Sequence, residues 1–151
     1  MKNSEKLILL VEDNPDDEFL TLDAFSQNKI LNPVDVVRDG AEALEYLFRT
    51  GRYSQRDAHK NPVVVLLDLN LPKVSGLDVL KRIRSDPRTK LLPVVVLTTS
   101  NEQQDLLNSY SNGCNSYTRK PVNMAEFVEA VRQLGIYWLK INECAPVLRP
   151  A

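Results

Sequence analysis

The sequence predicts an α/β protein: a parallel sheet covered by helices on both faces. Three observations carry this. Five strand-like segments are spread along the 151 residues and alternate with stretches of helical spacing. The central segments, VVVLL (63–67) and PVVVL (93–97), are continuously apolar, as in strands buried on both faces. Turn and capping residues, not short hairpin turns, separate the segments, so consecutive strands are joined by crossovers.

The elements follow in order. LILLV (7–11) is a strand ended by Glu12 and Asp13. Asn14-Pro15-Asp16-Asp17 offers a cap, a proline suited to the first helical turn, and acids that favour the positive end of a helix dipole. A helix should run from about residue 15 to Asn28. VDVV (34–37) is a second strand, closed by Asp39-Gly40. Ala43, Leu44, Leu47 and Phe48 recur at helical spacing. After the third strand, Leu77, Leu80 and Ile83 mark a helix that stops at Asp86-Pro87. Leu106, Leu107 and Tyr110 suggest a short helix after the fourth strand, and Cys114 to Thr118 is the fifth. Met124, Phe127, Val128, Val131, Leu134 and Trp138 give the longest helical stripe. Residues 1–144 read as one domain, with a polar insertion at 50–62 and an extended C-terminal helix, and 145–151 as a loose tail.

Composition narrows the function. Hydrophobic residues make up 43% of the chain, enough for a real core. The net charge of −1 argues against a nucleic-acid surface. No apolar run could span a membrane, and Leu7–Val11 is too short for a signal-peptide core. Cys114 and Cys144 lack metal spacing and read as free thiols in a reducing cytosol, so a cytoplasmic location is expected.

In a parallel open sheet, ligands sit at the carboxyl ends of the strands, where the winding reverses. Glu12 and Asp13 end the first strand, Asp68 the third, and Thr98, Thr99 and Ser100 the fourth, while Lys120-Pro121 follows the fifth. Three convergent carboxylates repel one another. A divalent cation relieves that conflict, and Mg²⁺ suits oxygen ligands while keeping open positions. Lys120 and Thr98 add a cation and a hydroxyl for a phosphoryl group, and Asp68 is the natural nucleophile for an aspartyl phosphate.

LLVEDNP, LLDLNLPKVSG, PVVVLTTS and YTRKP together resemble the receiver domains of two-component response regulators, over about Lys6 to Leu139. The resemblance implies a flavodoxin-like doubly wound sheet of strand order 2-1-3-4-5. It implies that Asp68 accepts a phosphoryl group from a histidine kinase. It also implies that Glu12, Asp13, Asp68 and the Asn70 main-chain carbonyl hold Mg²⁺, with Thr98, Thr99 and Lys120 binding the phosphoryl group. Thr98 and Tyr117 match the family's switch pair, and the bond to Pro121 would be cis. Within the family, LDLNLP, the insertion and YWL (137–139) look like the stand-alone regulators that partner cyanobacterial phytochromes.

The output of such a chain is expected to be a protein contact. Tyr117 is either the switch aromatic or a packed strand residue. Ile136, Tyr137, Trp138, Leu139 and Ile141 are either a homodimer patch, centred on Tyr137 and Trp138, or a helix end on its own core. Arg49, Arg52, Arg56, His59 and Lys60 either meet an acidic kinase surface or form a solvated loop. A receiver is a phosphoacceptor and not a turnover enzyme. Two other functions compete with the phospho-switch: an adaptor that works without phosphorylation, and an aspartyl-phosphate phosphohydrolase. The second would want an acid where Asn70 stands. A flavin protein of this fold would want a phosphate loop where Glu12-Asp13-Asn14-Pro15 stands.

Overall fold

The structure is a computed structural model and describes residues 6–146. Five parallel strands lie in the order β2-β1-β3-β4-β5, as expected. They are β1 (Ile8–Val11), β2 (Val34–Val37), β3 (Val64–Leu67), β4 (Val94–Thr98) and β5 (Ser116–Arg119). The connecting helices are α1 (Pro15–Gln27), α2 (Gly40–Phe48), α3 (Gly76–Ser85) and α4 (Gln103–Ser111), and α5 (Met124–Ile136) follows β5. The β1 strand pairs with β2 on one side and β3 on the other, Ile8 opposite both Val34 and Val64, so the winding reverses there.

Side chains alternate across the sheet, and this builds two apolar layers. Leu9, Val11, Val65, Leu67 and Val96 point to the layer that holds Ala43 and Leu47 of α2 and Val79, Leu80 and Ile83 of α3. Ile8, Leu10, Val64, Leu66 and Val95 point to the layer that holds Ala24 and Phe25 of α1 and Phe127 and Val131 of α5. The strands are therefore buried on both faces, which is why they read as continuous apolar runs.

Side-chain caps open the first three helices, and that of α1 is the expected Asn14. Asn14 accepts hydrogen bonds from the amides of Asp16 (2.9 Å) and Asp17 (3.2 Å). Asp39 accepts from Glu42 (2.7 Å) and Ser75 from Asp78 (3.2 Å). Gly76 opens α3 against the end of β3, where a Cβ would stand 2.3 Å from the Asp68 carbonyl oxygen. No larger residue lets the chain turn back so closely behind Asp68.

Three expectations change. β5 begins at Ser116, not Cys114, because the Cys114 amide closes the end of α4 on the Ser109 carbonyl (3.0 Å). The Lys120–Pro121 bond is trans, and no peptide bond among the described residues is cis. Trans is the intrinsically favoured isomer, and Asn123, two residues on, caps α5. Trp138, expected at the dimer surface, is buried at 9% exposure. After α5 the helix widens into a π turn, Tyr137–Ile141; Trp138 and Leu139 pack on the α1/α5 layer, and Tyr137 (47%) and Ile141 stay outside.

The insertion is not a free basic loop. It holds a 3₁₀ turn, Gly51–Tyr53, and folds back on α2. Arg56 lies 4.3 Å over the Tyr46 ring and donates to the carbonyls of Tyr46 (2.8 Å) and Lys60 (2.6 Å). Arg52 pairs with Glu45 at 3.0 Å. Ala145 and Pro146 of the expected tail have irregular backbone, and 147–151 lie outside the described residues.

Candidate functional site

The carboxyl ends of β1, β3, β4 and β5 bring together the polar residues singled out in the sequence. Glu12 and Asp13 leave β1, Asp68 leaves β3, Thr98 is the last residue of β4, and Lys120 follows β5. Each strand is fixed by its ladder, so each side chain inherits a rigid base. The Asp68 amide bonds the Val11 carbonyl (3.1 Å) and the Lys120 amide the Thr98 carbonyl (2.8 Å), which extends the ladders into the site.

Asp68 is buried and held at both oxygens. Its Oδ1 accepts from the Thr98 hydroxyl and from the Asn70 amide, each at 3.1 Å. Its Oδ2 accepts from Lys120 Nζ at 3.0 Å. Lys120 also donates to Glu12 and, at 2.9 Å, to Asp17 Oδ2. Burial alone would push the Lys120 ammonium down; its bond to Glu12, the Asp68 charge and the bond to Asp17 outweigh that and raise it. Burial lifts the Glu12 carboxyl to about 7 against the pull of Lys120.

Glu12, Asp13 and Asp68 each bring one carboxylate oxygen within 4.8 Å of the others. Such a set, made only of oxygen donors with one acid exposed to solvent, fits a hard divalent cation with waters still attached. Lys120 alone cannot balance four neighbouring carboxylates, so a second cation would remove repulsion that the fold now holds in place.

Not every expected residue joins this cluster. Thr99 is exposed at the end of β4. Asn70 contributes its amide, which touches Asp68. Tyr117 is half-buried, and its hydroxyl donates to the Ser100 carbonyl (3.2 Å) in the loop after β4. That loop is tied to Thr98 through the Ser100 amide (3.4 Å) and to α4 through Ser100 Oγ and Asp105 (2.6 Å). Tyr137 belongs to the C-terminal π turn and not to this edge. The residue that sequence reasoning missed is Asp17. It was read as a helix-dipole acid, and only the fold shows that the first turn of α1 faces Lys120.

The chain is similar to several known proteins. The family described as the response regulator receiver domain matches residues 8–132. The probable methanogenesis regulatory protein FilR2 of Methanothrix harundinacea is 41% identical over 136 residues, covering 90% of this chain and 85% of that protein. The response regulator Rcp1 of Synechocystis is 37% identical over 138 residues, covering 91% and 92%. A crystal structure of the Mn²⁺-bound form of Rcp1 superposes with a TM-score of 0.85 at 35% identity, covering 93% and 99%. The phosphorylated cyanobacterial phytochrome response regulator RcpA does so at 0.87 and 39%, covering 94% and 99%.

Proposed function

The chain belongs to the response regulator receiver family, and from that premise we propose that Asp68 is its phosphoacceptor, charged by a histidine kinase. The observation that carries this is the hold on Asp68: Thr98 and Asn70 fix one oxygen and Lys120 the other, beside an oxygen cluster that fits a cation. An Asp68 oxygen attacks phosphorus and forms the acyl-phosphate bond. The bond from phosphorus to the kinase histidine breaks, and its electron pair stays on the imidazole. Lys120 and Thr98 then face the new phosphoryl oxygens as donors. Water later cleaves the acyl phosphate to the carboxylate and inorganic phosphate.

Glu12, Asp13, Asp68 and the Asn70 carbonyl would hold Mg²⁺, which when bound would neutralise the acids and polarise the phosphoryl oxygens. The protein is thus a phosphorylated signalling partner and not a turnover enzyme. Thr98 and Tyr117 share the Ser100 loop, so a charge change at Asp68 can be read at the surface by α4 and β5. The partner kinase is proposed to be a phytochrome-type photoreceptor, in the cytoplasm, on the likeness to Rcp1 and RcpA. A homodimer through the exposed Tyr137 and Ile141 is proposed in place of one through Trp138.

Intact mass after incubation with acetyl phosphate tests the core of this reading. The parent gains one phosphoryl group only with Mg²⁺, and Asp68→Asn gains none. A folded parent that stays unmodified by acetyl phosphate and by a phosphorylated phytochrome kinase would leave the adaptor function in its place.

A further inference from the structure

Lys120 has three N–H donors, and three different carboxylates take them. Two of those acids, Glu12 and Asp68, also belong to the cluster that fits a cation. Asp17 lies outside that cluster. It comes from a different element, the first turn of α1, and its backbone is pinned on both sides. Its amide donates to the Asn14 cap (3.2 Å), and its carbonyl accepts from the Thr21 hydroxyl (2.8 Å). Among the described residues, Lys120 is the only cationic side chain within ion-pair distance of Asp17.

We propose that Asp17 is a positioning residue for the phosphoryl-transfer step, which holds the Lys120 ammonium against α1 so that one N–H stays aimed at the acceptor oxygen of Asp68. The proposal rests on the phosphoacceptor reading above. Its logic is a division of duties. Asp68 stops being a carboxylate when it is phosphorylated, and Glu12 is shared with the cation site. Asp17 alone of the three keeps an undivided bond to Lys120 throughout. A lysine ammonium sits on a flexible four-carbon stem, and a tether from a capped helix start narrows its positions. The Asp17 carboxylate is 28% exposed, against 2% for Glu12, so it holds Lys120 from the solvent side of the site.

Two other roles make opposite predictions. As a plain helix-dipole acid, Asp17 would affect stability and leave the transfer step alone. As a fixed negative charge, it would repel an anionic donor, and its removal would speed transfer.

The experiment is phosphorylation by acetyl phosphate at saturating Mg²⁺, followed by intact mass, in Asp17→Ala, Asp17→Asn, Lys120→Ala and the double variant Asp17→Ala/Lys120→Ala. Mg²⁺ affinity is measured in parallel by calorimetry. Asp17→Ala is expected to lower the saturating rate about tenfold, the scale of one charge-assisted hydrogen bond lost from an aligned group. The half-saturating donor concentration and the Mg²⁺ affinity should stay within about twofold. Asp17→Asn keeps an acceptor oxygen and should recover part of the rate. In the Lys120→Ala background, Asp17→Ala should change the rate by less than about twofold, since the two act as a unit. An equal loss in both backgrounds, a faster reaction, or a matching loss of Mg²⁺ affinity would each overturn the positioning role. If the parent takes up no phosphoryl group, the phosphoacceptor reading falls and takes this role with it. If the parent is modified and the Asp17 variants match it, only this role falls.

Discussion

At the carboxyl edge of the sheet one ammonium, Lys120, meets three carboxylates; at the amino edge one guanidinium, Arg84, meets only neutral oxygens. Arg84 donates to the carbonyls of Gly113 (2.8 Å), Leu92 (2.7 Å) and Lys90 (3.1 Å), and to the Asn115 side-chain oxygen (2.7 Å). Asn115 in turn accepts from the Val94 amide (2.8 Å). This network ties α3, β4 and the start of β5 together, with four of the five guanidinium N–H groups on neutral acceptors. Burial pushes the Arg84 guanidinium down, yet so basic a group stays charged. At the other edge, Glu12, Asp17 and Asp68 share the single charge of Lys120, and Asp13 lies beside Glu12 and Asp68. The same sheet therefore carries a satisfied end and an unsatisfied one. Only the end with charge left over has something to gain from a cation or a phosphoryl group.

The largest expected effect comes from removing Lys120. Lys120→Met leaves Glu12, Asp17 and Asp68 without their shared cation, and breaking a buried ion network of this kind costs about 3–5 kcal/mol. Urea unfolding without divalent cation should show that loss, and added Mg²⁺ should recover part of it. Arg84→Met comes next. It strands at least two carbonyls near the core and should cost about 2–4 kcal/mol, with no dependence on Mg²⁺. If Mg²⁺ rescued Arg84→Met as well, the two edges would not be independent.

The third prediction adds the cation alone. Mg²⁺ at one hundred times its dissociation constant should stabilise the parent by about 2.7 kcal/mol. Arg84→Met should show the same increment, and Asp13→Asn should lose most of it, although Asp13 is exposed. Calorimetric melting at several Mg²⁺ concentrations measures all three. An undiminished increment in Asp13→Asn would remove Asp13 from the cation site.

The two edges were not equally legible. At the carboxyl edge, strand position decided the site: Glu12, Asp68, Thr98 and Lys120 end apolar runs or follow them, and a parallel sheet has to gather such ends. Asp17 was hidden because its partner, Lys120, lies 103 residues away and is brought to α1 only by the closed fold, which no local pattern encodes. At the amino edge the fold's polar contacts were invisible. Arg84 looks like any arginine in the last turn of α3, and its partners lie up to 31 residues away. Arg56 was read within a basic loop and instead closes the end of α2. Trp138 was placed outward because Ile136 to Ile141 carries more apolar surface than one helix face needs, yet its helical spacing from Phe127 and Val131 already pointed to the core in which all three lie.

The smallest expected effect tests whether the amino edge has any pH dependence of its own. Asp86 follows α3 and pairs with Arg88 (2.9 Å) and Arg82 (3.4 Å), and both guanidiniums lie over the Phe48 ring, at 5.1 and 4.3 Å. The hydrogen bonds from Arg88 hold the Asp86 carboxyl well below its ordinary 3.8. A carboxylate depressed by folding adds stability that is present above its unfolded value and is lost as the pH falls through the folded one. Asp86 should therefore contribute nothing to the pH dependence above about pH 5, and a modest acid-side loss below it. The arginine partners are largely solvated, and such surface pairs are weak and screened by salt. Urea midpoints between neutral pH and pH 2.5, with and without 1 M salt, compare the parent with Asp86→Asn. The variant should lie slightly below the parent at neutral pH and meet it in acid, and salt should narrow the gap. Curves that stay parallel down to the lowest pH would show that the arginines stand on Phe48 without help from Asp86, and that the amino edge draws no stability from its ion pairs.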